Sequence, residues 1–209
     1  MKRLLCYLYL LLSLVQTHRL VAQSTQTLSG RVLGFHTNRA GDYDGFQLRT
    51  STGTIWLRFP PHTAAQVLKQ TPVGKTVRVT AAEQPLPLPA ETAEPVFQLI
   101  NVQLTSTKRE LLLSSLPPPA PAQGKLIKEE SALMGELHDD AGRLSALLTD
   151  RHVIELKPHQ GESVQALLVG VDRLGVVGYE RVEPGFINKT GRKLIHPTAL
   201  IINNQTYAL

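Results

Sequence analysis

A repeat constrains this chain more than any other feature. The first half carries Phe59-Pro60-Pro61-His62, a helix-like stretch, then Val77 and Val79. The second carries Leu156-Lys157-Pro158-His159, a helix-like stretch, then Leu174 and Val176. The separations match: fifteen residues from each histidine to the first apolar position and seventeen to the second. A glycine-bearing turn precedes an apolar strand in each half, Gly41 before Phe46 and Leu48, Gly142 before Leu144 and Leu147. Spacing and element order are kept together, which is the mark of a duplicated domain.

Between the halves, Ser114 to Gln123 reads SSLPPPAPAQ. Prolines among small residues favour polyproline II and cannot join a sheet ladder. This predicts domains over 23–107 and 132–209, with a semi-rigid spacer over 108–131. A shorter cluster, Pro85 to Pro89, reads as a loop inside the first domain.

Within each half the periodicity is mostly that of strands. In the first, Gly30–His36 and Phe46–Thr50 are strand-like, and Ser51–Gly53 is a tight turn. Thr54–Phe59 then alternates, with Ile55, Leu57 and Phe59 on one side and Trp56 and Arg58 on the other. Thr63–Lys69 reads as a short helix with Thr63 as its N-cap, followed by strands over Thr76–Ala82 and Val96–Gln103. The second half gives strands over Ala132–His138, Arg143–Leu148, His152–Lys157, Leu174–Glu180 and Ala199–Asn203, with a helix near Glu162–Leu168. Three strands, a helix and two strands is the element order of the OB-fold. The expected fold class is therefore all-β with one short helix per domain, as two tandem five-stranded OB-fold-like barrels.

The pattern GDYDGF followed by FPPH also resembles OB-type domains of uncharacterised bacterial exported proteins. The resemblance covers about residues 28–104 well. Over residues 132–203 it is looser, since Asp139-Asp140-Ala141-Gly142 fills the turn and one proline precedes His159. It implies a fold and no activity, so no catalytic residue is carried over.

The N-terminus points to export. Lys2 and Arg3 precede an apolar run from Leu4 to Val15, and Ala22 offers a small residue before Gln23. This is the layout of a signal peptide over residues 1–22, too short to span a bilayer, which needs about 20 apolar residues. The expected localisation is periplasmic or extracellular, with no membrane span after removal; an uncleaved anchor is the alternative. Three of the 22 cations lie in this segment, which leaves 19 against 17 acids in the mature chain. A net charge of +2 does not signal nucleic-acid binding. The only cysteine, Cys6, is also in the segment, so the mature chain has no disulfide and no thiolate chemistry.

Catalytic motifs are not found. There is no Gly-x-Ser-x-Gly elbow, no phosphate-binding glycine loop and no His-Glu-x-x-His. His62 and His159 recur at equivalent places, but neither has a second ligand at metal spacing, so both read as helix-entrance residues. Asp42 and Asp44 lack the rest of a calcium loop and read as turn residues, as do Asp139 and Asp140. Asn188-Lys189-Thr190 matches only a glycosylation acceptor. No cofactor or metal is expected.

The face of strands 2 and 3 in the first domain is more informative. If Phe46, Leu48, Ile55, Leu57 and Phe59 fill the barrel, then Gln47, Arg49, Trp56 and Arg58 point outward. An aromatic among cations is a stacking platform worth about 1–3 kcal/mol per base, and a sugar face docks on the same kind of surface. Tyr43, Arg39 and His36 are expected to extend the patch. In the second domain the matching strand presents Val153, Glu155 and Lys157, with no aromatic. The halves also differ in charge, seven cations to five acids over 23–107 and ten to eleven from Gly124 onward. The expectation is a non-enzymatic binding protein whose first barrel takes single-stranded nucleic acid or oligosaccharide. A protein-interaction module of the cell envelope is the alternative, and a metal-dependent hydrolase a remote one.

Overall fold

The computed structural model describes residues 24–83, 95–119, 123–181 and 184–209. The expected signal peptide and the Pro85–Pro89 cluster lie outside the described residues. The first domain runs β1 (Thr25–Thr37), β2 (Tyr43–Arg49), β3 (Thr54–Arg58), α1 (Ala64–Gln70), β4 (Thr76–Glu83) and β5 (Val96–Leu104). A short β6 (Glu110–Leu112) follows. The second runs β7 (Gln123–His138), β8 (Leu144–Thr149), β9 (His152–Glu155), α2 (Pro158–Val164), β10 (Arg173–Arg181) and β11 (Lys193–Ile202), and ends in β12 (Gln205–Ala208).

Each set of five strands closes on itself. The first sheet is ordered β3-β2-β1-β4-β5, and β5 returns to pair parallel with β3. The second is ordered β9-β8-β7-β10-β11, and β11 pairs parallel with β9. Both are OB-fold-like barrels, and closure removes the exposed edges that an open sheet of this size would carry.

The alternating apolar positions fill the interiors. Phe46, Leu48, Leu57, Val77, Val79 and Val102 are fully buried in the first barrel. Leu147, Ile154, Leu174, Val176, Ile195 and Leu200 do the same in the second. The duplication extends to individual hydrogen bonds. Gly41 N–H donates to Asn38 O, and Gly142 N–H to Asp139 O. Phe59 N–H donates to Asp44 O, and Leu156 N–H to Ser145 O. Phe46 faces Leu57 across β2–β3 as Leu147 faces Ile154 across β8–β9. Each first strand also slips register twice at matching places, after Val32 and His36 in the first barrel and after Leu133 and Leu137 in the second.

Several elements differ from the sequence expectation. The region expected as spacer is shorter: β6 pairs with β5 within it, and β7 begins at Gln123. Pro117 to Pro119 still have no regular structure. Thr63 does not cap α1 through its side chain. A 3-10 turn over Pro61–Thr63 leads into the helix, and the Thr63 hydroxyl donates back to Pro60 O. α2 starts at Pro158, earlier than expected, because a proline at the first helical position has no amide to satisfy. β11 starts at Lys193, since Leu194 and Ile195 are core residues, and Asn203-Asn204 turns it back into β12.

Candidate functional site

The β1–β2 turn and the ends of β2 and β3 build one polar cluster. Gly45 faces His36 across β1–β2 and Arg58 across β2–β3. A Cβ there would lie 2.9 Å from Leu57 O and 3.3 Å from the Arg58 side chain, so only glycine leaves room for the two flanking side chains to close. They close on Asp44. Its Oδ1 lies 2.7 Å from His36 Nδ1, and its Oδ2 accepts from Arg58 Nη1. The Asp44 side chain is only 12% exposed, so two partners compensate its loss of water.

Trp56 is half-buried, in β3 opposite Gln47 of β2. Its ring meets His36 edge to face with centroids 5.5 Å apart. Trp56, Gln47, His36 and Arg58 therefore form a continuous outer face, as expected. Arg49 is exposed at the far end of β2, across the ladders from Arg31 and Thr54. Tyr43 does not extend this face. Its ring packs edge-on to Phe35 at 5.8 Å, against the first core, because the register slip after His36 turns the start of β2 inward. Arg39 leaves the patch for the second barrel and pairs with Asp140.

The face opens onto the second domain. A cleft of about 620 Å³ is lined on one side by His36, Arg39, Asp44 and Arg58. On the other side stand Leu137, Asp140, Ser145 and Glu155, which occupy the same register positions in the second barrel. The two equivalent faces are thus turned toward one cleft. Val153, the counterpart of Trp56, does not point to solvent as expected: it is 1% exposed and lines the cleft wall. Glu155 is exposed as expected, and its Oε2 lies 3.2 Å from His196 Nδ1.

Asp42 closes the turn through its backbone, its C=O accepting Asn38 N–H, but the carboxylates of Asp42 and Asp44 serve other contacts. The turn is held by Asn38, whose Oδ1 accepts Asp42 N–H. The Asp42 carboxylate leaves the turn and takes a two-pronged grip from Arg181, with both N···O distances 2.9 Å. Asn188 Nδ2 adds a bond to Asp42 Oδ1 at 3.0 Å and one to Ala40 O at 2.8 Å. The loop between β10 and β11 then runs along the first barrel: Tyr43 N–H donates to Ile187 O, Lys189 N–H to Gly41 O and Ala65 N–H to Gly185 O. Arg181 stacks over the Phe186 ring at 3.9 Å, and Phe186 lies against His62 with ring centroids 6.3 Å apart. His62 serves this contact, while His159 at the matching helix is exposed. The one sequence signal for the contact was Asn188, whose motif pointed elsewhere.

Asp139 keeps the turn role. Its Oδ1 accepts the amides of Ala141 and Arg143, and its Oδ2 accepts Arg143 Nε at 2.8 Å. The backbone bond from Arg143, then its side chain, hold the Asp139 carboxyl below the usual range. Among the described residues no group of three or more histidine, cysteine or acidic side chains is placed to hold a metal. No helix among them is long and apolar enough to cross a membrane.

The inner end of the second barrel is polar. Where the first has Leu28, Gly30 and Ile55, the second has Glu129, Ser131 and His152 at the same register positions. Glu129 Oε2, Ser131 Oγ and His152 Nδ1 are buried without a hydrogen-bond partner among the described residues, although Glu129 Oε2 lies 3.6 Å from Arg151 Nη1 and 4.0 Å from His152 Nδ1.

No protein-family model matches the chain, and no curated protein does. Among solved structures it is similar to apo TiaS, a tRNAIle2 agmatidine synthetase, at 17% identity and a TM-score of 0.29. The match covers 85% of this chain and 35% of that one, so the chain spans about a third of that protein's length.

Proposed function

We propose that this chain is an exported binding protein, without catalytic activity of its own, that grips an extended polymer on the strand 2–3 face of its first barrel. The polymer is single-stranded nucleic acid or oligosaccharide, the two ligand classes OB barrels take on this face. One observation carries the reading. Trp56 is half-exposed on an outer face shared with Gln47, His36 and Arg58, which gives a flat apolar surface beside hydrogen-bonding groups. Stacking on such a ring is worth about 1–3 kcal/mol by alanine substitution.

Trp56 is the only tryptophan, so its fluorescence reports its own site. Titration with dT20 and with neutral hexasaccharides should change that emission, and Trp56→Ala should weaken binding followed by calorimetry. If neither ligand binds, or if Trp56→Ala binds as well as the wild type, the proposal fails. A protein-assembly role in the cell envelope is the second reading. It is favoured by Leu126 and Met134, exposed apolar side chains on the same strand, β7. A partner recovered by wild type and lost by Leu126→Glu/Met134→Glu would support that reading instead.

A further inference from the structure

We infer that the ligand is a neutral oligosaccharide and that it sits in the cleft between the barrels, so that the second barrel supplies half of the site. The inference rests on the reading of the first barrel as a polymer binder, and adds the ligand's chemistry and the second wall.

Charge selects against a polyanion. Two guanidiniums and three carboxylates line the cleft: Arg39 and Arg58 against Asp44, Asp140 and Glu155. Each is already paired, Arg58 and His36 with Asp44, Arg39 with Asp140, and Glu155 with His196. A phosphate backbone entering here meets more carboxylates than guanidiniums and must break an ion pair to gain a cation. Nucleic-acid sites are built the opposite way, from cations that neutralise phosphates. A sugar hydroxyl needs no such exchange. A guanidinium has five N–H donors and a carboxylate about four lone-pair sites, so a paired Arg58 or Glu155 keeps groups to offer. The existing pairs fix these groups in place, which lowers the ordering cost of binding.

The shape agrees with this. About 620 Å³ falls within the usual range of roughly 300–1,000 Å³ for ligand sites. Val153 and Ala146 give the second wall an apolar floor, with Ser145 and Glu155 beside it. Trp56 lies outside the cleft's lining but borders its first wall through the edge-to-face contact with His36. An apolar surface flanked by planar polar groups suits a pyranose, which has a C–H face and a rim of hydroxyls.

The test uses the mature chain on a microarray of neutral gluco-, manno-, xylo- and chito-hexasaccharides. The best binder, and dT20, are then measured by calorimetry in 50 and 500 mM NaCl. The expected result is a neutral hexasaccharide whose affinity changes less than about twofold with salt, weakened tenfold or more by Trp56→Ala and by Glu155→Ala and partly restored by Glu155→Gln. Ser145→Gln, which fills the second wall without removing a charge, gives the same loss and decides the matter if Glu155→Ala melts early. If a sugar binds and Trp56→Ala weakens it while the Glu155 and Ser145 variants do not, the ligand lies on the first barrel alone. The cleft inference is then wrong and the broader proposal stands. It is equally wrong, with the broader proposal intact, if only dT20 binds and its affinity falls steeply with salt. If nothing binds, both fail.

Discussion

The contact between Arg181 and Asp42 should weld the barrels into one cooperative unit. The side chains are 12% and 2% exposed, and Asp42 has lost nearly all of its water. Replacing Arg181 with Met keeps much of the apolar stem but strands the carboxylate, leaving it the single bond from Asn188 Nδ2 in place of a paired charge. Breaking one side of a buried pair costs about 3–5 kcal/mol. The loss of Arg181 stacking on Phe186 adds about 0.5–2 kcal/mol. The cost has a ceiling, because a separated second barrel returns Asp42 to water. The expected result is therefore undocking rather than global unfolding. Urea titration reads this directly, since Trp56 fluorescence follows the first barrel while far-ultraviolet dichroism follows both. In the wild type the two curves should coincide. In Arg181→Met the fluorescence curve should part from the dichroism curve. Asp42→Leu/Arg181→Met, which leaves no stranded charge, should recover much of the coincidence. If Arg181→Met stays within about 0.5 kcal/mol of wild type with overlapping curves, a cost expected of ordinary surface changes, the pair is not a weld.

Gly185→Ala should undock the same interface by another route. Its φ is +100° and a Cβ would come 2.0 Å from His62 O, so a cost of at least about 1–3 kcal/mol is expected, read as the same parting of the two urea curves. Glu129→Leu/Ser131→Ala/His152→Ile, which gives the second barrel an apolar end like the first, should stabilise it by about 1–4 kcal/mol; a lower melting temperature would show that the polar end is needed for folding. Asp139 is held below the usual carboxylate range, so its contribution is present above the unfolded value of about 3.9 and is lost as pH falls through the lower folded value. Its carboxyl resonance should titrate below that of a model peptide, and Asp139→Asn should flatten the acid limb of the stability profile.

The barrels were legible because their cores obey a local rule. Alternation places Phe46, Leu48, Ile55 and Leu57 inside without reference to any distant residue, and the matched spacings carry the same rule into the second half. The strand 2–3 face follows from the same alternation, which is why Trp56, Gln47 and Arg58 stand where expected. Tyr43 was misplaced because one register slip after His36 reverses which side faces in, and a slip has no compositional mark. The interdomain contact was not legible at all. Asp42 and Arg181 are 139 residues apart, and each looks locally like an ordinary turn or strand-end charge.

The two halves differ where the chain was free to diverge. The turn after β1 needs an Asx side chain at its first position and a glycine three residues on; Asn38 and Gly41 meet that need, as do Asp139 and Gly142. At its other positions the turn places no such demand on side chains, although Arg143 does bond back to Asp139. There the halves part: Arg39 against Asp140, Asp42 against Arg143 and, just beyond, Asp44 against Ser145. Around this turn, the kept residues Asn38 and Asp139, Gly41 and Gly142 build the barrel, while Arg39, Asp42 and Asp44 of the first half serve what lies between the barrels. The same reasoning applies to Arg58 and Glu155, which hold one register position with opposite charge and face one cleft. Two identical barrels would have placed like charges against each other across that cleft. Opposite charges allow the equivalent faces to approach and still leave polar groups for a ligand. The mismatches in the repeat are therefore the better guide to the site than the repeat itself.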